Sequence, residues 1–190
     1  MSGIGHLCSA RASTALCEQV HGDKERLGFV MNATRLWGHL PAAKQSLFDL
    51  MAMAAAGGSL TFHQQAVLVT ATATALGDPY CALAWGSRLA REAGVEVATD
   101  IVCENPHQLD DEDRVLTEWA RRVVTDPTGT TAEDVEALRA AGFSDDQIFA
   151  LTAYIALRIA FSTVNDSLGA QPDPELIARA PEELVRSIGL

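Results

Sequence analysis

Residues 146–165, DQIFALTAYIALRIAFSTVN, carry apolar side chains around nearly the whole circumference of a helix, with Arg158 as the single basic group. A surface helix shows one apolar stripe, whereas a helix that is apolar all round has to be enclosed by other elements. The rest of the chain offers helices to enclose it. Helix start and stop signals recur from residue 27 to the end, and β-branched or aromatic segments with clean alternation are almost absent. The fold class read from these signals is all-α, a helical bundle.

Pro41 suits the first position of a helix running through AAKQSLFDLMAMAAA, which Gly57 and Gly58 stop. Thr61 with Gln64 makes a capping-box pattern before QAVLVTATATALG. The Thr-Ala alternation there resembles a strand locally, but alanine is a poor strand residue and the window between turn signals is long, so the segment reads as helix. Asp78 then serves as N-cap and Pro79 as first helical residue for YCALAWGSRLAREA, ended by Gly94. These two helices form a hairpin around Gly77. An acidic connector carrying Cys103, Pro106 and His107 leads to a helix near Asp111 to Thr125. Thr130 with Glu133 is expected to cap the next one, ending at Gly142, and Ser144 with Gln147 to cap the helix of the opening paragraph. The organisation expected is an N-terminal arm over 1–26, one domain over 27–175 and a tail over 176–190, the arm and tail having weaker patterns suited to oligomer contacts.

A chain of 190 residues supports one hydrophobic core, and a hydrophobic share of 48% agrees with a packed globule. No apolar run approaches the length needed to cross a bilayer and no basic, then apolar, leader opens the chain, so a soluble, cytoplasmic protein without a membrane partner is expected. The net charge of -11 repels a phosphate backbone, which argues against nucleic acid. Four scattered cysteines, Cys8, Cys17, Cys81 and Cys103, read as thiols rather than a disulfide framework. His6, Cys8, Cys17 and His21 contain zinc-ligand types, but their spacing matches no tight knuckle. With no glycine-rich phosphate loop, G-x-S-x-G elbow or H-E-x-x-H, no metal and no cofactor is expected.

The stretch GDPYCALAWG, residues 77–86, holds the candidate chemistry. Cys81 falls at the third helical position, where the positive end of the helix dipole lowers a thiol pKa, while the Asp78 carboxylate in the same turn acts in the opposite sense. Asp78 itself reads as a helix cap or a general base. Trp85, one turn on and on the same face, can wall an apolar pocket. Arg158 has three ways to be tolerated in its apolar helix: its stem reaches the surface, it pairs with a buried carboxylate, or it holds an anionic ligand. His63, in the first turn after Thr61, reads as a solvated side chain or a contributor to the site.

The segments LGFVMNATRLWGHLPAAKQSLFDLMAMA, LTFHQQAVLVTATATALGDPYCALAWGSRLA, LDDEDRVLTEWARRVVTDPTGTTAEDVEALRAAGFSDDQIFAL and VNDSLGAQPD, in this order over roughly residues 27–175, resemble the carboxymuconolactone decarboxylase superfamily, within it the AhpD-like alkylhydroperoxidase branch and its peroxidase-related members. The resemblance implies an AhpD-like helical bundle with a central helical hairpin, assembled as a homo-oligomer, a trimer or a multiple. It also implies a thiol site of one glutamate, a C-x-x-C pair and a histidine four residues after the second cysteine. On this chain the second cysteine falls on Cys81, the first on Asp78, the histidine on Trp85 and the glutamate on Ala66. A disulfide cycle needs a second sulfur and its relay needs groups that carry a proton. Neither is supplied by Asp78, Trp85 and Ala66.

Three functions follow as expectations. In the first, the cavity of the former thiol site binds or transforms a small hydrophobic or aromatic molecule without a cofactor, with Cys81 and Asp78 as candidate catalytic groups and Trp85, Arg158, Ala66 and His63 as candidate binding residues. In the second, Cys81 acts as a one-cysteine alkyl hydroperoxide reductase or redox sensor. In the third, the protein is a non-catalytic oligomeric scaffold.

Overall fold

The structure is a computed structural model that describes residues 4–105 and 109–190, so Pro106 and His107 of the connector lie outside the described residues. Its helices are α1 (Thr14–Leu27), α2 (Asn32–Trp37), α3 (Pro41–Gly57), α4 (Phe62–Leu76), α5 (Pro79–Ala93), α6 (Val95–Val102), α7 (Asp111–Thr125), α8 (Ala132–Ala140), α9 (Asp145–Ser167), α10 (Pro174–Arg179) and α11 (Glu182–Ile188). Among the described residues there is no strand beyond an isolated bridge between Ile4 and Leu7.

The helix starts follow the local chemistry. Proline opens α3 and α5, and the reciprocal capping boxes of Thr61 with Gln64 and of Ser144 with Gln147 open α4 and α9. Gly77, at a positive φ of 71°, closes α4 and turns the chain into α5. Three segments depart from expectation. The cap of α8 is Thr131 with Asp134, one residue after the expected Thr130 and Glu133, because the 3-10 turn Pro127–Gly129 already takes the Thr130 hydroxyl on the Pro127 carbonyl. The first half of the connector is helix α6, whose Ala98, Ile101 and Val102 are buried; packing against α5 and α4 outweighs its β-branched composition. Most of the second half of residues 1–26 is helix α1, which Ser13 caps, which runs past the expected boundary to Leu27 and which Gly28 ends in the left-handed conformation, although Asp23 is its one buried residue.

The core is built around α4, where every residue from Ala66 to Ala73 is buried under α5, α6, α7 and α9. Its small side chains let these neighbours approach closely. Helix α9 is long and apolar enough on composition to cross a bilayer, although no single apolar run signals this; here it packs against α3, α4 and α7 and buries Arg158 and Asn165 among its apolar side chains. Toward the C-terminus, Leu184 of α11 is fully buried and lies where a side chain on Gly86 of α5 would stand, at 3.2 Å from an added Cβ. Asp173 draws three distant pieces together, accepting from the Tyr80 hydroxyl at 2.6 Å and from the Asn32 N–H at 2.8 Å.

Candidate functional site

Helical spacing places Cys81, Trp85 and Arg88 on one face of α5, and Tyr154, Arg158, Phe161 and Ser162 on one face of α9. With α1, α2 and α3 these faces enclose a cleft of about 1000 Å³. Cys81, Trp85, Arg88, Arg158 and Phe161 all line it.

Cys81 is 2% exposed. Asp78 caps α5 as expected, accepting the Cys81 N–H at 2.9 Å, and its Oδ2 is buried without a hydrogen-bond partner. Burial pushes the Cys81 thiol up to about 12, and the charge and hydrogen bond of Asp78 push the same way; Arg158 and a hydrogen bond from Ser162 oppose them. The helix dipole therefore loses to desolvation, the reverse of what the helix start alone suggests.

Arg158 is 3% exposed and meets sulfur and aromatic faces instead of carboxylates. Its Nη2 lies 3.7 Å from Cys81 Sγ and its Nη1 3.7 Å from Met51 Sδ. The guanidinium stands over the Trp85 ring at 5.1 Å and the Phe161 ring at 5.4 Å, while Nε has no hydrogen-bond partner. Arg88 covers Trp85 as well, at 4.7 Å, and Phe62 stacks on it at 6.1 Å. Tyr80, next to Cys81, donates to Asp173 and accepts from the Ala33 N–H at 3.3 Å; burial and the Asp173 charge raise its pKa, so it stays protonated.

The structure thus brings Cys81, Trp85 and Arg158 into one cleft, with Asp78 beneath the thiol. Ala66 is fully buried within α4 and His63 bonds Asp113 of α7 at 2.7 Å; neither lines the cleft. Burial raises the Asp113 pKa against the pull of His63. Cys8, Cys17 and Cys103 are exposed free thiols, and His21 pairs with Glu25 at 3.0 Å. Among the described residues no cluster of three His, Cys, Asp or Glu side chains is arranged to hold a metal. Sequence reasoning missed Arg88, Phe161 and Ser162. Arg88 follows Cys81 by seven residues and Ser162 follows Arg158 by four, so helical spacing could have found both.

No family model and no curated protein matches the chain. Solved structures do. A peroxidase-related protein from Ralstonia eutropha JMP134, described as an alkylhydroperoxidase AhpD core, aligns with a TM-score of 0.81 at 21% identity, covering 96% of this chain and 100% of that one. A peroxidase-related protein from Silicibacter sp. TM1040 aligns at 0.79 and 19% identity, over 90% of this chain and 93% of that one. The C82A variant of the debrominase Bmp8, in complex with 2,3,4-tribromopyrrole, aligns at 0.72 and 16% identity, over 90% of this chain and 94% of that one. The chain has the AhpD-like helical fold that its motifs resemble.

Proposed function

We propose that this protein uses the cleft beside Trp85 to bind, and transform without a bound cofactor, a small hydrophobic or aromatic molecule. The observation that carries this reading is the composition of the cleft. It is about 1000 Å³ in volume, is walled by Trp85, Phe161, Phe48 and Met31, and has one thiol, Cys81, beside one buried guanidinium. Such a site pairs aromatic and apolar surface for binding with charged and polar side chains for orientation, a make-up suited to a small-molecule pocket. Support of a coarser kind comes from Bmp8, a protein of the same fold that acts as a debrominase and binds a small halogenated heteroaromatic.

The one-cysteine peroxidase reading is the weaker one. A thiol pushed up to about 12 is almost wholly protonated at neutral pH, and the attacking species in that chemistry is the thiolate. Exposed apolar side chains on α3, Leu50 and Met53, support the homo-oligomer that the resemblance implies, and light scattering on the purified protein tests it.

The test of the binding reading is a fluorescence titration of the cofactor-free protein with a panel of small aromatic molecules, alongside Trp85→Phe and Ala84→Trp. Quenching that disappears in Trp85→Phe and binding that is blocked when Ala84→Trp fills the cleft are expected, with mass spectrometry of the bound compounds reporting turnover. A panel that leaves the emission unchanged, or binds Ala84→Trp as well as the parent, refutes the reading.

A further inference from the structure

We infer that the molecule held in this cleft is an organic anion, an aromatic carboxylate whose charged group lies between Arg158 and Arg88 and whose ring packs along Trp85 and Phe161. The inference rests on the binding function proposed above and names its ligand class.

A buried arginine is tolerated when its head reaches water, when a carboxylate neutralises it, or when a ligand does. At 3% exposure Arg158 does not reach water. Among the described residues no carboxylate lies within ion-pair distance of it, and its polar contacts are the two sulfurs of Met51 and Cys81. Its Nε is buried and unpartnered. A guanidinium whose Nε is free and whose Nη1 and Nη2 meet only sulfur, a weak acceptor, is suited, where it lines a cleft, to a planar oxyanion that accepts two parallel hydrogen bonds.

Arg88 makes the case independently. It too has no carboxylate partner among the described residues, it stands on the same indole as Arg158, and burial together with the Arg158 charge lowers its pKa. Two like charges are held around one ring, and the indole face is what they share in place of a carboxylate. The lining also holds Arg26 and Lys44 with the acids Glu18 and Asp23, and Asp23 is occupied by Arg26 at 3.1 Å and by the Met31 N–H at 3.1 Å, so the cleft carries four basic side chains against two acidic ones. In a chain of net charge -11 this is a local positive field, and such a field selects anions. The apolar walls select the remainder of the ligand: inorganic phosphate would meet aromatic faces where it needs donors, whereas an aromatic acid satisfies both parts of the site.

The experiment compares naphthoate with naphthylmethanol, a neutral molecule of similar shape, by calorimetry and tryptophan emission on the full chain in low-chloride buffer. Acetate is the third probe, and Arg158→Gln and Arg88→Gln are the variants. Naphthoate is expected to bind about ten- to a hundredfold more tightly than the alcohol, to lose that advantage in each variant, and to weaken with added salt. Arg88→Gln, at a half-buried position, carries the test if Arg158→Gln does not fold. Equal affinity for acid and alcohol overturns the anion inference and leaves the apolar cleft standing. Acetate binding as tightly as naphthoate overturns the aromatic part. Failure of both naphthalenes to bind removes the anion and the cleft reading together.

Discussion

The Cys81 thiol yields the sharpest prediction, because burial and the helix dipole push it in opposite directions. An ordinary thiol at 9.0 is about a tenth ionised near pH 8, and one pushed up to about 12 is ionised about one part in ten thousand; ionisation alone slows Cys81 by roughly a thousandfold relative to exposed thiols. Low exposure adds to the delay. The perturbation is Asp78→Asn, which keeps an oxygen to accept the Cys81 N–H, so the cap survives with little loss, and removes the negative charge that raises the thiol pKa. The thiolate fraction then increases and Cys81 reacts faster than in the parent. A thiol whose folded pKa lies above its unfolded value adds stability that is complete below about 9 and is lost as pH rises toward about 12, and Asp78→Asn narrows that window. Time-resolved mass spectrometry of alkylation with a neutral reagent, over a pH series, follows Cys81 with Cys8, Cys17 and Cys103 as internal references. Alkylation of Cys81 as fast as the other three near pH 8, or no acceleration in Asp78→Asn, refutes the reasoning. The same assay with an alkyl hydroperoxide then decides between the binding function and a one-cysteine peroxidase.

Tyr80→Phe removes a hydroxyl that bonds Asp173 and Ala33 in a buried position, and is expected to cost about 1.5–3 kcal/mol in urea unfolding; an unchanged midpoint would mean that water takes over the hydroxyl's role. Thr131→Ala should cost about 1 kcal/mol through the lost cap of α8. Thr130→Ala should cost less, since its hydroxyl serves an exposed turn, and the reverse order would return the cap to residue 130. Burial lowers the Lys44 pKa to about 8, so the folded state penalises the charged amine fully below about 8 and not at all above 10.5. Lys44→Met should therefore be most favourable relative to the parent near neutral pH, and its relative stability should fall as pH rises through that interval; a pH-independent difference in urea midpoint contradicts this.

What was legible in the sequence is what the chain decides within one or two turns. Thr61 with Gln64, Ser144 with Gln147 and Asp78 with Pro79 each fix a helix start through atoms three residues apart, and the structure keeps all three. The alternation of threonine and alanine in α4 proved helical because its burial on every side comes from four other helices, not from one face. Helix α6 escaped notice for the same reason: its eight residues are held by packing on α4, α5 and α11, not by local signals. The site divides along this line. The cap that Asp78 gives Cys81 is local, and so is the dipole that would activate the thiol. The burial that overrules it is set by the packing of the whole fold around α5, and the α9 groups that reach the thiol, Arg158 from 77 residues away and Ser162, only partly offset it. Arg158 was readable as anomalous but not as unpaired, because the absence of a carboxylate near it depends on where every acid in the fold ends up. A helix start identical in its first turn, but open to water, would lack the burial that pushes this thiol up. In this chain the fold withdraws the thiol from water and leaves the guanidinium beside it as the group with unmet chemistry.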